Sequence, residues 1–391
     1  MYTNTTQYLR ALASDLVHGC RRTAADGTVI YTPDGTASYD GLWLRDFSYM
    51  VEYAGFAIPD QDIVNCIRYA VRHRPYRIKG CLLLFCILHH GFCHRVVALA
   101  VYAAGIAAAP VGEANLDNTP FLIFTVDSLS RRMDPEAFLP LFTEWEADLE
   151  QGLFLLPLEE HGLVYNDVQT PHSPYGFTDT IGKTGTLYME SLLYWRACRM
   201  MERMCKTYGI KNPDRFAKAA ESVERSLSLL FDPAAGAFYA ATKDCHQYDI
   251  WGMAYMLYIG FPCSADEKQA VLSFLEKNYD ACVYRGQVRH LLKGQYWERL
   301  LIDVEPETYQ NGAYWATASG WMIWCLAQQN PALAVRALED VVSCFKTDGS
   351  FECINEGYEK LPLFVVSATN VCGGFERTIS DFPEFGAGKI D

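Results

Sequence analysis

The sequence predicts an all-α protein, an (α/α)6 toroid in which six helical hairpins close into a ring, with long loops and short β-hairpins on one face. Three observations carry that expectation. Helical patterning recurs along the 391 residues, short connections alternate with long ones, and no self-similarity at a fixed period marks a superhelical repeat array.

Taken in order, Thr3–Arg22 reads as the first helix, followed by Asp46–Phe56 and by Asp60–Arg72, which Pro59-Asp60 opens. Asp117–Ser130 and Pro135–Gln151 form a close pair, with Asp134-Pro135 as the start signal of the second. Lys183–Tyr208 pairs with Pro213–Phe231, Ile250–Tyr258 with Ala265–Tyr279, and Ala313–Gln328 with Pro331–Phe345. These make eleven, and 367–380 supplies part of a twelfth. The joints at 57–59, 131–134, 209–212, 260–264 and 329–330 are brief. Those at 23–45, 73–116, 152–182, 232–249, 280–312 and 346–368 are long and rich in Gly, Pro, Trp, Tyr and acids. Long loops are uncommon in compact domains and usually carry function. In a ring of hairpins alternate connections share a face, so the long set is expected to line one mouth of one closed domain, 1–391.

Half of the residues are hydrophobic and 14% aromatic, enough for a large core without disulfides. The formal charge, 33 − 47 = −14, argues against nucleic acid or an anionic membrane as partner and favours a neutral or cationic ligand. Fourteen cysteines are scattered with no CxxC pair, which suits reduced, core-filling thiols. With no basic-then-apolar pattern at the start, the expected location is cytoplasmic.

One stretch departs from this pattern. From Ile63 to Gly112 there is no Asp or Glu, while four of the nine histidines and four of the fourteen cysteines fall there. Its apolar runs are interrupted by His89, His90, His94 and Arg95 and are too short to span a bilayer. Cys86, His89, His90, Cys93 and His94 are types that bind zinc, but their spacing matches no zinc pattern. Translation of part of 73–112 in a shifted frame accounts better for the composition.

Chemistry concentrates in the long loops. Trp43 offers an apolar plate for a sugar face, and Arg45 with Asp46 offers charge-assisted hydrogen bonds to vicinal hydroxyls, although Asp46 also reads as a helix N-cap. Asp179, among aromatic and small residues before a helix, reads either as a proton donor raised by partial burial or as a helix cap. Lys183 is near enough in sequence to pair with it, and Glu190, seven residues into the helix, is a second candidate carboxylate. The segments around Asp249-Ile250-Trp251, Arg289-His290, Trp297, Glu305 and Gln310-Asn311-Gly312-Ala313-Tyr314-Trp315 mix amides, aromatics and carboxylates as polyhydroxylated ligands require. Glu352 and Glu356 add carboxylates on the last long loop. No metal, nucleotide or flavin motif is present, so no cofactor is expected.

Together the helix count, Trp43-x-Arg45-Asp46, Gly176-x-x-Asp179 and Tyr309-Gln310-Asn311-Gly312-x-Tyr314-Trp315 resemble the six-hairpin glycosidase superfamily, over most of the chain outside 73–112. The nearest echoes are the glucoamylase family, whose W-x-R-D segment grips the non-reducing sugar, and bacterial enzymes related to processing glucosidases and invertases, where N-G-x-Y-W recurs. The resemblance implies an inverting hydrolase of a small oligosaccharide or glycoside, with a general acid on loop 152–182 and a base on loop 346–368. The sequence lacks the Glu-Glu pair of glucoamylase on the first of these loops. By position the acid is therefore Asp179 and the base Glu352 or Glu356. Trp43, Arg45, Asp46, Asp249, Trp251, His290, Trp297, Glu305, Gln310, Asn311, Tyr314 and Trp315 are expected to hold the carbohydrate. Two rival readings stand beside this one. His172, His246 and His290 on mouth loops would suit a sugar epimerase or isomerase, and the disturbed 73–112 segment would suit a non-catalytic sugar-binding protein.

Overall fold

The computed structural model describes residues 2–72, 115–210, 212–383 and 385. The anomalous 73–112 stretch, with its Cys86, His89, His90, Cys93 and His94 grouping, lies outside the described residues.

Among the described residues, twelve helices of two turns or more form two concentric rings. The inner ring is α2 (Leu44–Ala54), α4 (Asn118–Ser130), α6 (Tyr188–Tyr208), α8 (Ile250–Tyr258), α11 (Ser319–Gln329) and α13 (Val365–Asp381). Each packs on the next, and α13 returns to α2 and closes the ring. Around it stand α1 (Tyr2–Gly19), α3 (Asp60–Arg72), α5 (Pro135–Phe154), α7 (Pro213–Ser226), α9 (Ala265–Lys277) and α12 (Pro331–Thr347), with a single turn, α10 (Tyr279–Cys282), after α9. The all-α toroid expected from the sequence is the observed fold.

Composition sorts the helices between rings. All nine residues of α8, Ile-Trp-Gly-Met-Ala-Tyr-Met-Leu-Tyr, are buried, as a helix apolar on every side must be. The outer α7 buries only Phe216, Ala220 and Val223, one stripe at helical spacing. Local signals set the ends. Ser264 and Glu267 form a capping box at α9, Asp134 accepts from the Glu136 amide at α5, and Gly209 ends α6 with φ +68°.

The inner helices α2, α4, α6, α8 and α11 each run into a short joint to the outer helix that follows, so their N-termini gather at one mouth. The loops there carry five two-stranded antiparallel hairpins among the described residues. They are β1 (Arg21–Thr23) with β2 (Val29–Tyr31), β3 (Tyr165–Asn166) with β4 (Gly185–Thr186), and β5 (Phe231–Asp232) with β6 (Ala237–Phe238). β7 (Val283–Tyr284) pairs with β8 (Gln287–Val288), and β9 (Phe351–Asn355) with β10 (Tyr358–Pro362).

Several boundaries differ from the sequence reading. The helix expected from Lys183 begins at Tyr188, because Gly185, at φ +82°, takes Gly185–Thr186 into a strand against Tyr165–Asn166. Glu190 therefore lies in the first helical turn rather than two turns deep. The helix expected from Ala313 begins at Ser319, after Trp315 has bridged to Val288. Asp46 sits inside the first turn of α2, which Leu44 opens, so it is not the N-cap.

α11 and α13 approach closely through Gly320 and Gly374. A Cβ on Gly374 would fall 2.5 Å from the Gly320 Cα and 2.8 Å from its carbonyl carbon, both rigid backbone. Gly374→Ala should therefore destabilise the protein by about 1–3 kcal/mol in urea unfolding, as overpacking does. Gly19→Ala, which meets nothing within 4 Å, should cost far less. Equal midpoints for the two variants would contradict this packing.

Candidate active site

At the mouth lies a recess of about 470 Å³, open solvent included. Four of the long loops and the start of α2 build it, through Tyr39, Trp43, Arg45, Asp46, Phe177, Asp179, Thr180, Tyr309, Glu352 and Phe364.

The first wall is folded by a carboxylate. Buried Asp34 accepts from the amides of Thr36, Ser38 and Tyr39, at 2.9, 3.1 and 2.9 Å, curling the loop so that Tyr39 packs edge-on to Trp43 with ring centres 5.7 Å apart. Trp43 is the residue before α2 and lies 5.2 Å from the Arg45 guanidinium.

Arg45 is the centre of the charge cluster. It is 6% exposed and faces three carboxylates: Nη2 is 3.4 Å from Asp179, Nε 3.7 Å from Asp46 and Nη1 3.9 Å from Asp117. Burial opposes its charge, but Asp117, Asp179 and Asp46 outweigh that and hold its pKa above the usual value. Gly176 makes the placement sterically possible, since a Cβ there would collide with the guanidinium. Asp117, at the N-cap position of α4, does not cap its own helix; its Oδ2 accepts from the Gly176 amide at 2.7 Å.

Asp179 follows the single 3-10 turn Gly176–Thr178, nine residues before α6, so it caps no α-helix. Its Oδ1 accepts from Gln310 Nε2 at 2.8 Å. The neighbouring Thr180 donates its amide and hydroxyl to Gln310 Oε1 at 2.9 and 2.7 Å. Lys183 does not reach Asp179. It forms a buried pair with Glu190 at 2.7 Å, which removes Glu190 from the recess.

Glu352, on β9, accepts from the Tyr39 hydroxyl at 2.9 Å through Oε1, and Oε2 is paired with the Lys360 ammonium. Lys360 also donates to the Tyr39 oxygen at 2.8 Å and lies 3.9 Å above the Tyr309 ring. The turn at Gly357, φ +71°, folds Lys360 back beside Glu352.

Burial raises the pKa of every carboxyl in this cluster. Asp46 is pushed up to about 7 and Asp117 to about 6, in each case mainly by burial and only partly countered by Arg45. Asp179 and Glu352 are also raised by burial, against Arg45 and the Gln310 hydrogen bond in one case and Lys360 in the other. Asp46, Asp117, Asp179 and Glu352 outnumber Arg45 and Lys360 by two, which adds like-charge repulsion to the effect of burial.

The remaining sequence candidates fall outside the recess lining. Glu356 is exposed at the hairpin turn, and Glu305 is exposed on its loop. Trp251 and Trp315 lie behind Phe177, with ring centres 6.0 and 5.6 Å from it, and support the plate rather than form it. Asp249 caps α8 by accepting from the Gly252 amide at 2.9 Å. His290 is buried and stacked on Trp251 at 3.9 Å, and burial drives its pKa well below the usual value. Trp297 donates to the Gln310 carbonyl, Asn311 staples its loop through Trp297 N and Val304 O, and Tyr314 packs with Ile354. Tyr39, Asp117, Phe177, Tyr309, Phe364 and Lys360 are not among the site residues that the sequence predicts. For Lys360 the available signal is a lysine eight residues after Glu352 across a glycine turn.

No family model and no curated protein matches the chain. Solved structures do. The GH63 mannosylglycerate hydrolase from Thermus thermophilus in complex with Tris aligns over 94% of this chain and 100% of its own, at 15% identity and TM-score 0.65. The two chains share the toroid fold. A rhamnosidase from Klebsiella oxytoca with rhamnose bound aligns over 95% of this chain and 64% of its own, at 10% identity and TM-score 0.59. A structure described as a wild-type glycosidase covers 98% and 99%, at 13% identity and TM-score 0.59. No helix among the described residues is long and apolar enough to cross a membrane.

A raised folded-state pKa means that the neutral form stabilises the fold below the unfolded value near 4, and that this contribution is lost as pH rises through the folded value. For Asp46 that window runs from about 4 to about 7. Thermal midpoints measured from pH 4 to 8 should therefore move in favour of Asp46→Asn relative to the parent as pH rises. A difference that does not depend on pH would place the Asp46 pKa near its usual value.

Proposed function

We propose that the protein is an inverting glycoside hydrolase of small glycosides, with Asp179 as general acid and Glu352 as general base. The observation that carries the reading is that these two carboxyls line one recess beside a Trp-x-Arg-Asp wall, in a fold shared with glycosidases. Inversion needs a neutral acid on one side of the sugar and an ionised base on the other, ~6.5–9.5 Å away, to admit a water. The surroundings suit that division. Glu352 is paired to an ammonium and accepts a tyrosine hydroxyl, which oppose the rise that burial gives its pKa, whereas Asp179 shares its guanidinium with two other carboxylates.

Trp43, Phe177 and Phe364 supply faces for a pyranose ring, and Arg45 with Asp46 supplies donor and acceptor for adjacent hydroxyls. In the forward step the Asp179 proton passes to the glycosidic oxygen as the bond to the anomeric carbon breaks. Glu352 takes a proton from the water that attacks the opposite face. Carboxylates rather than histidines are assigned this work because no histidine is among the described residues lining the recess. His246 is exposed and stacked on Tyr239, and His290 is buried against Trp251.

With a panel of aryl glycosides, glycosyl fluorides and small oligosaccharides, Asp179→Asn should lose about 10²–10⁴-fold on poor leaving groups while retaining much of its rate on fluorides. Glu352→Gln should suppress both classes. Proton NMR of the first product should show the anomer opposite to that of the substrate. Retention of configuration would remove the inverting assignment, and equal damage to both substrate classes by Asp179→Asn would move the acid elsewhere.

A further inference from the structure

We infer that Gln310 is a positioning residue for the acid, fixing which oxygen of Asp179 carries the proton and turning that proton toward the recess. Gln310 was expected from the sequence to bind sugar, but it is 1% exposed and does not line the recess. Its side-chain amide has one permitted orientation. The Thr180 backbone N–H can only donate, and it meets Oε1 at 2.9 Å. The Gly176 carbonyl can only accept, and it meets Nε2 at 3.3 Å. Nε2 must therefore donate to Asp179 Oδ1, at 2.8 Å, and Oδ1 must be an acceptor in either protonation state.

The proton of the neutral acid is thereby directed to Oδ2, because the unprotonated oxygen is the better acceptor for Gln310. The neighbour of Oδ2 is Arg45 Nη2 at 3.4 Å, which cannot accept. Among the described residues, the hydrogen-bonding groups that reach the Asp179 carboxyl are Gln310, Arg45 and its own backbone N–H, all donors. Among the described residues the Oδ2 hydroxyl has no acceptor, and the open direction is the recess that Asp179 lines. A ligand oxygen is the group this geometry is built to meet. Gln310 is in turn carried by a constrained loop. Tyr309 before it adopts φ +40° and Gly312 after it φ +124°, while the Gln310 carbonyl accepts from Trp297 Nε1 at 3.0 Å.

Gln310 has this part only if Asp179 is the acid, so the test reads the contact and the reaction separately. Gln310→Glu keeps an acceptor for Thr180 but sets a second carboxyl against Asp179 Oδ1, and two carboxyls at that distance cannot both ionise. The charged or titratable groups facing Asp179 are Arg45, Asp117, Tyr39, Tyr309, Glu352 and Lys360, and the substitution leaves all of them in place. In protein labelled with 13C at aspartate carboxyls, the signal absent from Asp179→Asn should titrate at least about one pH unit higher in Gln310→Glu. The basic limb of kcat/KM should move up with it. Turnover of poor leaving groups should fall about 10²-fold while fluorides are largely spared.

Gln310→Met, which removes the donor without adding charge, should give the same leaving-group selectivity and a smaller upward titration shift. It serves as the test where Gln310→Glu does not fold. An unmoved Asp179 titration in a folded variant, or losses equal across leaving groups, would overturn the inference. If the parent hydrolyses no glycoside while the titration moves as stated, the contact stands and the hydrolase reading fails.

Discussion

The mouth of this toroid is organised around one buried guanidinium. Arg45 leaves the first turn of α2, reaches Asp117 at the entrance of α4, and meets Asp179 on the loop that leads into α6. A single cation thus ties together the entrances of three consecutive inner helices. Its own neighbour Asp46 completes the set. Removing an arginine from water costs several kcal/mol, and here three carboxylates and a tryptophan face replace the lost hydration. The arrangement leaves no room for a side chain at Gly176, where the backbone passes against the guanidinium.

That cluster is more acidic than its cations can neutralise, and the resulting strain is electrostatic. Asp46 and Asp117 are held at about 7 and about 6 by burial, a condition that opposes folding as the pH rises. Inner-helix N-termini converge on the same mouth, and their partial positive charge offsets part of the repulsion. Raised carboxyls in a recess are a common signature of proton-transfer sites, because a group poised near neutrality can both hold and release a proton.

The two carboxyls assigned to the proposed reaction are supported in different ways. Asp179 is set by a neutral amide and by a guanidinium it shares with two other acids. Glu352 is met by an ammonium and a tyrosine hydroxyl. Below them, Phe177 rests on Trp251 and Trp315, so the recess floor is continuous with the aromatic core of the ring. The Lys183–Glu190 pair, buried beyond water, anchors the far end of the segment that carries Asp179. The aromatic-rich inner helices are therefore both the core of the fold and the foundation of the site.

Local pattern determined the architecture. Helical periodicity, start and stop residues and the alternation of short and long joints predict a ring of hairpins with one functional face. They do so because each depends on neighbours within a few residues. Trp43, Arg45, Asp46, Asp179 and Glu352 were likewise legible, as chemistry-bearing residues on loops of that face. What the sequence could not decide was which polar residues meet. Gln310 and Asp179 are 131 positions apart and Tyr39 and Glu352 are 313 apart, and no periodicity spans such distances. The same limit explains the residues displaced from the recess. Trp251, Trp315 and His290 carry the right chemistry, but the three-dimensional packing turns them into the core. Glu356 lies four residues beyond Glu352, past the point where the strand ends and its turn faces solvent. Tertiary structure alone brought Lys360 back across a glycine turn to Glu352 and Asp117 across to Gly176, because burial and long-range pairing, rather than local propensity, decide which charges share a cavity.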